Sequence, residues 1–418
     1  MFRHYATFSL KTIIFYAIFF SCLYPFLSRY LRFSKLYQLD ENKTVKNVFD
    51  INSERLTQAE SYLNTINPDH TKQMYLKNGA KSDLRLAIGV VTVGRSPIRD
   101  DNPMYLTQVM SRLHQVLTES NAIGDIFLFI CNVDEHPEKH TEATYLTNFF
   151  PNITRVYDAG NSLLDDAHLR RTRHSSERQD YAYCLESALH FNPKYVVLVE
   201  DDAYPHQDFY EILHTILQTK LETRIRRGGL VVEDPKDWAW LKLSIPYYMN
   251  DFHRDNFVRT QWITLTCVIS GIITLTFYLY KETRSLQSTK IQRNHILSCY
   301  IVLIVSFLFF LPVVWTFGRP YYLKSRGISH YFYYLEPGTS CCTPAVLYPS
   351  DKVPGIIDFL RHADFKSIPM DWAMDEYRRE LKLKQYLLTP NIFTHIGFYS
   401  SLNGLRKKKS FAYEYFND

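Results

Sequence analysis

YVVLVEDDAYP, residues 195–205, is an apolar strand that stops abruptly in three consecutive acids, Glu200, Asp201 and Asp202. Open α/β sheets bind their ligands just outside the carboxyl ends of their strands, so these acids stand where a ligand would dock. A nucleotide diphosphate is strongly anionic, and adjacent carboxylates repel it unless a hard divalent cation lies between them. Mg2+ or Mn2+, held by one or two carboxylates plus phosphate oxygens, meets that need. The plainer alternative is an acidic turn that only ends a strand.

The flanking sequence has the texture of an α/β sheet. LRLAIGVVT (from Leu84) and DIFLFIC (from Asp125) are buried-strand patterns like the one before the acids. Helix-length segments at 104–119 and 177–189 lie between them, and this alternation predicts a mostly parallel sheet. GGLVVE (228–233) and WAWLKLSI (238–245) read as further strands, as do YFYYLE (331–336) and PAVLY (344–348), with a helix at 353–361. The part after residue 318 is too strand-poor to fold alone. We therefore expect one domain in two pieces, 84–258 and 319–418, with 259–318 inserted.

That insertion holds two apolar runs, about 262–280 and 296–317, each near the roughly 20 residues needed to cross a bilayer. A third run, 12–28, is aromatic-rich and is followed by Arg29, Arg32 and Lys35. It lacks a clean small-x-small cleavage site, so we read it as a signal anchor behind a cytoplasmic tail, 1–11. Residues 29–83 are polar and weakly periodic and read as a stem. Between the second and third runs, Lys281, Arg284, Lys290 and Arg293 outnumber Glu282, which places that loop in the cytoplasm and the rest of the chain in the lumen. The sequons at Asn42 and Asn152 fit a lumenal address. Cys131, Cys184, Cys341 and Cys342 lie outside the apolar runs, and four thiols allow three full pairings. The net charge of +5 over 418 residues is mild, and no basic stripe points to nucleic acid. The run 406–409 (RKKK) reads as a solvated tail.

The EDD triplet resembles the DxD-type motif of glycosyltransferases of the GT-A (Rossmann-like) fold. QDYAYCLESA (179–188), SDKVPGIIDFL (350–360), PMDWAMDEY (369–377) and TPNIFTHIGFYSSLNG (389–404) follow an order similar to the N-acetylglucosaminyltransferase IV family. The membrane hairpin is foreign to that family. A GT-A domain split by such a hairpin, behind an N-terminal anchor, instead resembles the post-GPI-attachment transferases. Those are Golgi enzymes that add N-acetylgalactosamine to the first mannose of the GPI glycan.

The resemblance implies UDP-GalNAc as donor, GPI-anchored proteins as acceptors, a Mn2+ or Mg2+ cofactor, a Golgi membrane location with the catalytic domain lumenal, and inversion at the anomeric carbon. By the same route Asp202 is the direct metal ligand and His395, in FTHIG, completes the metal shell. Glu200 and Asp201 hold ribose and sugar hydroxyls, while Val91, Thr92, Arg95 and Asp180 meet the uridine and diphosphate. An inverting displacement needs a base for the acceptor hydroxyl. Asp371 matches that position, with Asp375, four residues on, and Glu336 as further candidates. Trp372 is a candidate acceptor platform, although Trp is commonly core. Tethering the domain at its start and its middle would raise the effective concentration of a lipid-held acceptor. Two other readings stay open: a membrane N-acetylglucosaminyltransferase acting on N-glycans, and a non-catalytic scaffold whose acids bind calcium.

Overall fold

A computed structural model of the protein describes residues 14, 16–31, 33–36, 41–94, 103–157, 173–222, 225–227, 230–233, 238–246, 249–285, 292–362 and 368–398. The chain divides into two compact units, Met1–Asp40 with Tyr247–Ser325, and Glu41–Pro246 with Arg326–Asp418.

The first unit is helical. Its helices Asn256–Ser285 and Gln292–Phe317 contain the two apolar stretches, Asn256–Thr283 and Ile296–Phe317, that are long and apolar enough to cross a membrane. Their side chains include Ile272, Leu275, Ile304 and Leu308, all exposed, a pattern a water-soluble core helix would not show. Hydroxyls along the first helix are satisfied internally, with Thr266, Ser270 and Thr274 each donating to the carbonyl four residues back, as suits an apolar surrounding. Trp262 Nε1 donates to Leu311 O across to the second helix at 2.9 Å. The shorter apolar helix Tyr16–Ser28 joins the same unit, where the Tyr16 hydroxyl donates to Val305 O at 2.6 Å. Below the helices, Arg319 is fully buried and donates to Gln261 and Asn250, while Lys35 pairs with Asp251 at 3.1 Å.

The second unit is built on one eight-stranded sheet. In chain order its strands are β1 (Leu86–Thr92), β2 (Ile126–Asn132), β3 (Asn152–Thr154) and β4 (Tyr195–Glu200), followed later by β8 (Trp238–Lys242), β9 (Tyr334–Pro337), β10 (Ala345–Pro349) and β11 (Lys384–Thr389). Two small ladders stand apart from it, β5 (Ala203–Pro205) with β12 (Phe393–His395), and β6 (Ile225–Arg227) with β7 (Leu230–Glu233). The order in the main sheet is β3-β2-β1-β4-β10-β8-β11-β9. The strands β3, β2, β1 and β4 run parallel, and β11 runs parallel to β8. β10 is antiparallel to both of its neighbours. It comes after the membrane-length helices in the chain yet lies between β4 and β8, which precede them. The two pieces flanking 259–318 therefore complete a single sheet.

The central strands are apolar throughout because helices cover both faces. On β1, all residues but Val91 are buried, and β2 is buried along its whole length. The helices Tyr105–Glu119, Arg173–Leu189 and Val353–His362 supply the cover. Residues 29–83, read above as a stem, contribute the helices Glu41–Leu63 and Pro68–Gly79 to this unit. Tyr75 is fully buried there, its hydroxyl 2.8 Å from His114 Nδ1. The segment read as a strand at 331–336 begins as a short 3-10 turn, His330–Phe332, so β9 starts only at Tyr334. Of the segment read as a strand at 228–233, the described residues Leu230–Glu233 do form one, but in the separate ladder. Of the three cysteine pairings, the structure has Cys131–Cys184 and the adjacent pair Cys341–Cys342.

Candidate active site

β4 ends at Glu200, and the next three residues cross the carboxyl end of the sheet. Backbone bonds hold this corner on both sides. Glu200 N donates to Pro344 O at 2.8 Å, and Asp201 N donates to Val91 O at 3.1 Å. Asp201 and Asp202 are buried. The Thr92 hydroxyl donates to Asp201 Oδ2 at 2.8 Å, so Thr92 orients a carboxylate of the triplet and has His140 Nε2 at 2.9 Å on its other side.

His395 reaches the triplet through the small ladder. β12 pairs antiparallel with β5, setting His395 opposite Ala203, next to Asp202. Ile396 N donates to Asp202 O at 2.7 Å, and His395 Nε2 lies 3.4 Å from Asp202 Oδ1. The ladder is itself braced by His206 Nε2 with Thr394 Oγ1 at 2.9 Å and by Ser244 Oγ donating to Phe393 O at 2.8 Å. Glu200, Asp202 and His395 thereby offer ligand atoms all within 4.8 Å of one another. Two carboxylates and an imidazole suit Mn2+ or Mg2+ better than a soft ion, which would want thiolates. The residues present fit the cation that the acid triplet calls for.

A cleft of about 760 Å³ opens beside this cluster, lined by Val91, Thr92, Asp180, Glu200, Asp201 and Asp202 among others. That volume is in the range of small-molecule sites. Asp134, Glu135 and Glu177 also line it, and among the described residues no Lys or Arg does. An anionic diphosphate entering such a field needs a cation to offset the carboxylates. Asp180 is ion-paired with Arg155 and accepts a hydrogen bond from the Tyr157 hydroxyl at 2.7 Å. Burial, reinforced by that bond to Asp180, pushes the Tyr157 phenol well up and keeps it protonated. Arg95 lies outside the described residues.

The base candidates separate clearly. Asp371 sits in the first turn of the helix Met370–Glu380 and accepts from Cys342 N at 2.8 Å and Trp372 N at 2.9 Å. Its neighbour Met370 and the neighbour of Cys342, Thr343, both line the cleft. Asp375 is buried and bound to Arg378 at 2.7 Å, Arg379 at 3.0 Å, Ser340 at 2.9 Å and Gln385 at 3.2 Å. Burial alone would raise its carboxyl, but the bonds from Arg378 and Ser340 and the two arginine charges outweigh that and hold it low. Glu336 is fully buried on β9, opposite Leu387 and away from the cleft lining.

Three contributors escaped the sequence reading. Lys242, buried on β8, donates to Cys341 O at 2.7 Å and Cys342 O at 2.9 Å, fixing the loop that contacts Asp371. Burial lowers its ammonium to about 7 against the opposing charges of Asp371 and Asp375. Asp134 accepts from Gly94 N at 2.5 Å in the cleft wall. Gly397 packs against Asp202; it stands within the FTHIG motif, which was the available signal.

Residues 86–394 match the profile of the family described as GPI-N-acetylgalactosamine transferase PGAP4. The match covers about three quarters of the 418-residue chain, which makes the protein a glycosyltransferase. The chain belongs to the GPI-N-acetylgalactosamine transferase family, and a GPI-linked glycan is the acceptor that this membership implies.

Proposed function

We propose that this chain transfers N-acetylgalactosamine from UDP-GalNAc to the first mannose of the GPI glycan, with inversion and with a divalent cation, through a GT-A arrangement. The observation that carries the reading is the convergence of Glu200, Asp202 and His395 within 4.8 Å at the rim of an acidic cleft. Asp202 and His395 would hold Mn2+ or Mg2+, and the bound ion offsets charge on the departing nucleotide. Glu200 and Asp201 face ribose and sugar hydroxyls, with Thr92 fixing the Asp201 carboxylate. Val91 and Asp180 border the nucleotide space.

Asp371 is the base, taking the acceptor hydroxyl's proton as the new bond forms. The oxygens of Asp375 are committed to Arg378, Arg379, Ser340 and Gln385, and Glu336 is sealed in the sheet, so neither is carried forward as base. Trp372 is 60% exposed, which supports an acceptor platform and not a core role. The exposed apolar helices support a membrane hairpin, the helix Tyr16–Ser28 supports an anchor, and a lumenal Golgi enzyme is the reading consistent with both.

The test is mass spectrometry of GPI glycans from cells lacking the protein. Loss of the N-acetylhexosamine branch, restored by the wild-type chain and not by Asp202→Ala, is the expected result. Intact branches in the deficient cells would overturn the reading.

A further inference from the structure

The stretch 315–334, WTFGRPYYLKSRGISHYFYY, runs from the last turn of the second membrane-length helix to the first residue of β9. Eight of its twenty residues are Trp, Phe or Tyr, against 15% for the whole sequence. It also holds Arg319, Lys324 and Arg326 and contains no Asp or Glu. Aromatic rings mixed with long basic side chains are the composition of a chain at a membrane–water interface.

The part of this stretch that belongs to the sheet-bearing unit displays its apolar side chains to solvent. Ile328 is 81% exposed and Tyr331 89%, and Phe332 is exposed as well. Single exposed apolar residues are ordinary, but three large ones within five residues mark a surface that meets something other than water. The backbone beneath them is pinned. Arg326 donates to Phe332 O through Nε at 2.9 Å and Nη2 at 2.7 Å, and its guanidinium stands 4.2 Å from the centre of the Tyr334 ring. Ser329 accepts from Tyr331 N at its hydroxyl and from Phe332 N at its carbonyl. Tyr333 is buried in the core, and His330 lies 3.6 Å from Asp208 and 3.9 Å from Glu211. A turn ordered in advance loses little further freedom when its exposed side chains find a partner.

Chain continuity names the partner. Only residues 318–327 separate Phe317, the end of the second apolar span, from Ile328. Most of that link is the 8-residue helix Arg319–Arg326, which advances just ~12 Å. With the few remaining residues extended, Ile328 reaches at most roughly 25 Å from the end of the span. A turn so tethered stays beside the bilayer that the helix leaves.

We propose that the turn 328–332 is a lipid contact that does not span the membrane, seating Ile328, Tyr331 and Phe332 in the bilayer surface. The proposal rests on the reading of Asn256–Ser285 and Gln292–Phe317 as membrane-spanning helices. The turn leads directly into β9, an edge strand of the main sheet. The contact therefore holds the unit that carries the acidic cleft against the lipid surface. A lipid-linked glycan is confined to that same surface, so holding the unit there raises the acceptor's effective concentration.

The experiment uses the purified full chain in phosphatidylcholine vesicles, with the free thiols removed by Cys22→Ala, Cys267→Ala and Cys299→Ala. An environment-sensitive fluorophore is attached at one position at a time, through Tyr331→Cys, Ile328→Cys or, inside the first span, Ile272→Cys. All three native side chains are exposed, so these replacements leave the packing intact. Vesicles carry lipid with a nitroxide quencher either near the headgroup or at the end of the acyl chain. The shallow quencher should act on the label at Tyr331 or Ile328 about threefold more strongly than the deep one, as an interfacial depth requires. The label at Ile272 should be quenched from within the bilayer. Quenching at Ile272 with none by the shallow lipid at Tyr331 or Ile328 overturns the proposal and leaves the spanning helices standing. No quenching at Ile272 overturns the membrane reading and the proposal together.

Discussion

Gly397 lies so close to the Asp202 carboxylate that a methyl group added at its Cα would fall on Oδ2. The chain has just left β12 there, and Ile396 N is bonded to Asp202 O at 2.7 Å, so the backbone has little room to yield. Gly397→Ala should therefore push the carboxylate off its place beside His395. A misplacement of about 1 Å can cost a rate on the order of 10²-fold. We expect at least that loss in UDP release, with a melting temperature close to wild type. A variant with near-normal turnover would show that the position of Asp202 is not critical.

Asp371 and Asp375 share one helix and should answer mutation in opposite ways. Asp371→Asn removes the proposed base, so kcat should fall about 10²- to 10⁴-fold while donor KM and melting temperature hold. Asp375→Asn breaks a buried pairing with Arg378 and Arg379, which costs on the order of 3 kcal/mol of stability. Steady-state kinetics and thermal melts on both variants separate the two roles. A large melting loss in Asp371→Asn with kcat unchanged would reverse the assignment.

Much of this was legible in the sequence, for identifiable reasons. The strand before Glu200 is apolar on both faces and ends in charge, so both its burial and the direction of its carboxyl end could be read locally. The two membrane-length helices were equally plain. The insertion of β10 between β4 and β8 was not, because such pairing depends on residues about 150 and 100 positions earlier (Ala345 with Val199, Val346 with Lys242). β11 went unread for a related reason, since KQYLLT is short and polar at its start. The contrast between Asp371 and Asp375 also lay beyond the sequence. It rests on Arg378, Arg379, Ser340 and Gln385 gathering around one carboxylate and leaving the other with two backbone donors. The helices at 41–79 looked like a stem because polar residues dominate them, yet the few apolar and aromatic positions, Tyr75 above all, are the buried ones.

His114 supplies a pH test of the packing of that segment. Its ring is buried against Tyr75, Tyr62 and Phe150, and burial lowers its pKa to about 4 from an ordinary 6.5. The folded state thus keeps it neutral where the unfolded chain binds a proton. Stability should fall as pH drops from 6.5 toward 4, by about 2 kcal/mol between pH 7 and pH 5. Thermal melts at those two pH values should show a smaller difference in His114→Gln than in wild type. An equal difference would exclude His114 as the source.

Cys131 on β2 and Cys184 on the helix Arg173–Leu189 are bonded across 53 residues. Closing a loop of that length restricts the unfolded chain, and the double variant Cys131→Ser, Cys184→Ser should lose about 4 kcal/mol. Chemical denaturation of the two proteins checks this. Unchanged stability would mean that the bond does not constrain the unfolded chain.

The most direct measurement is equilibrium binding of UDP to the purified full chain, with and without Mn2+, in wild type and Asp202→Ala. The account predicts tight binding in wild type only when Mn2+ is present, and weak, metal-insensitive binding in the variant. Equal UDP affinity in EDTA and in Mn2+, or a Mn2+ effect that survives Asp202→Ala, would contradict it.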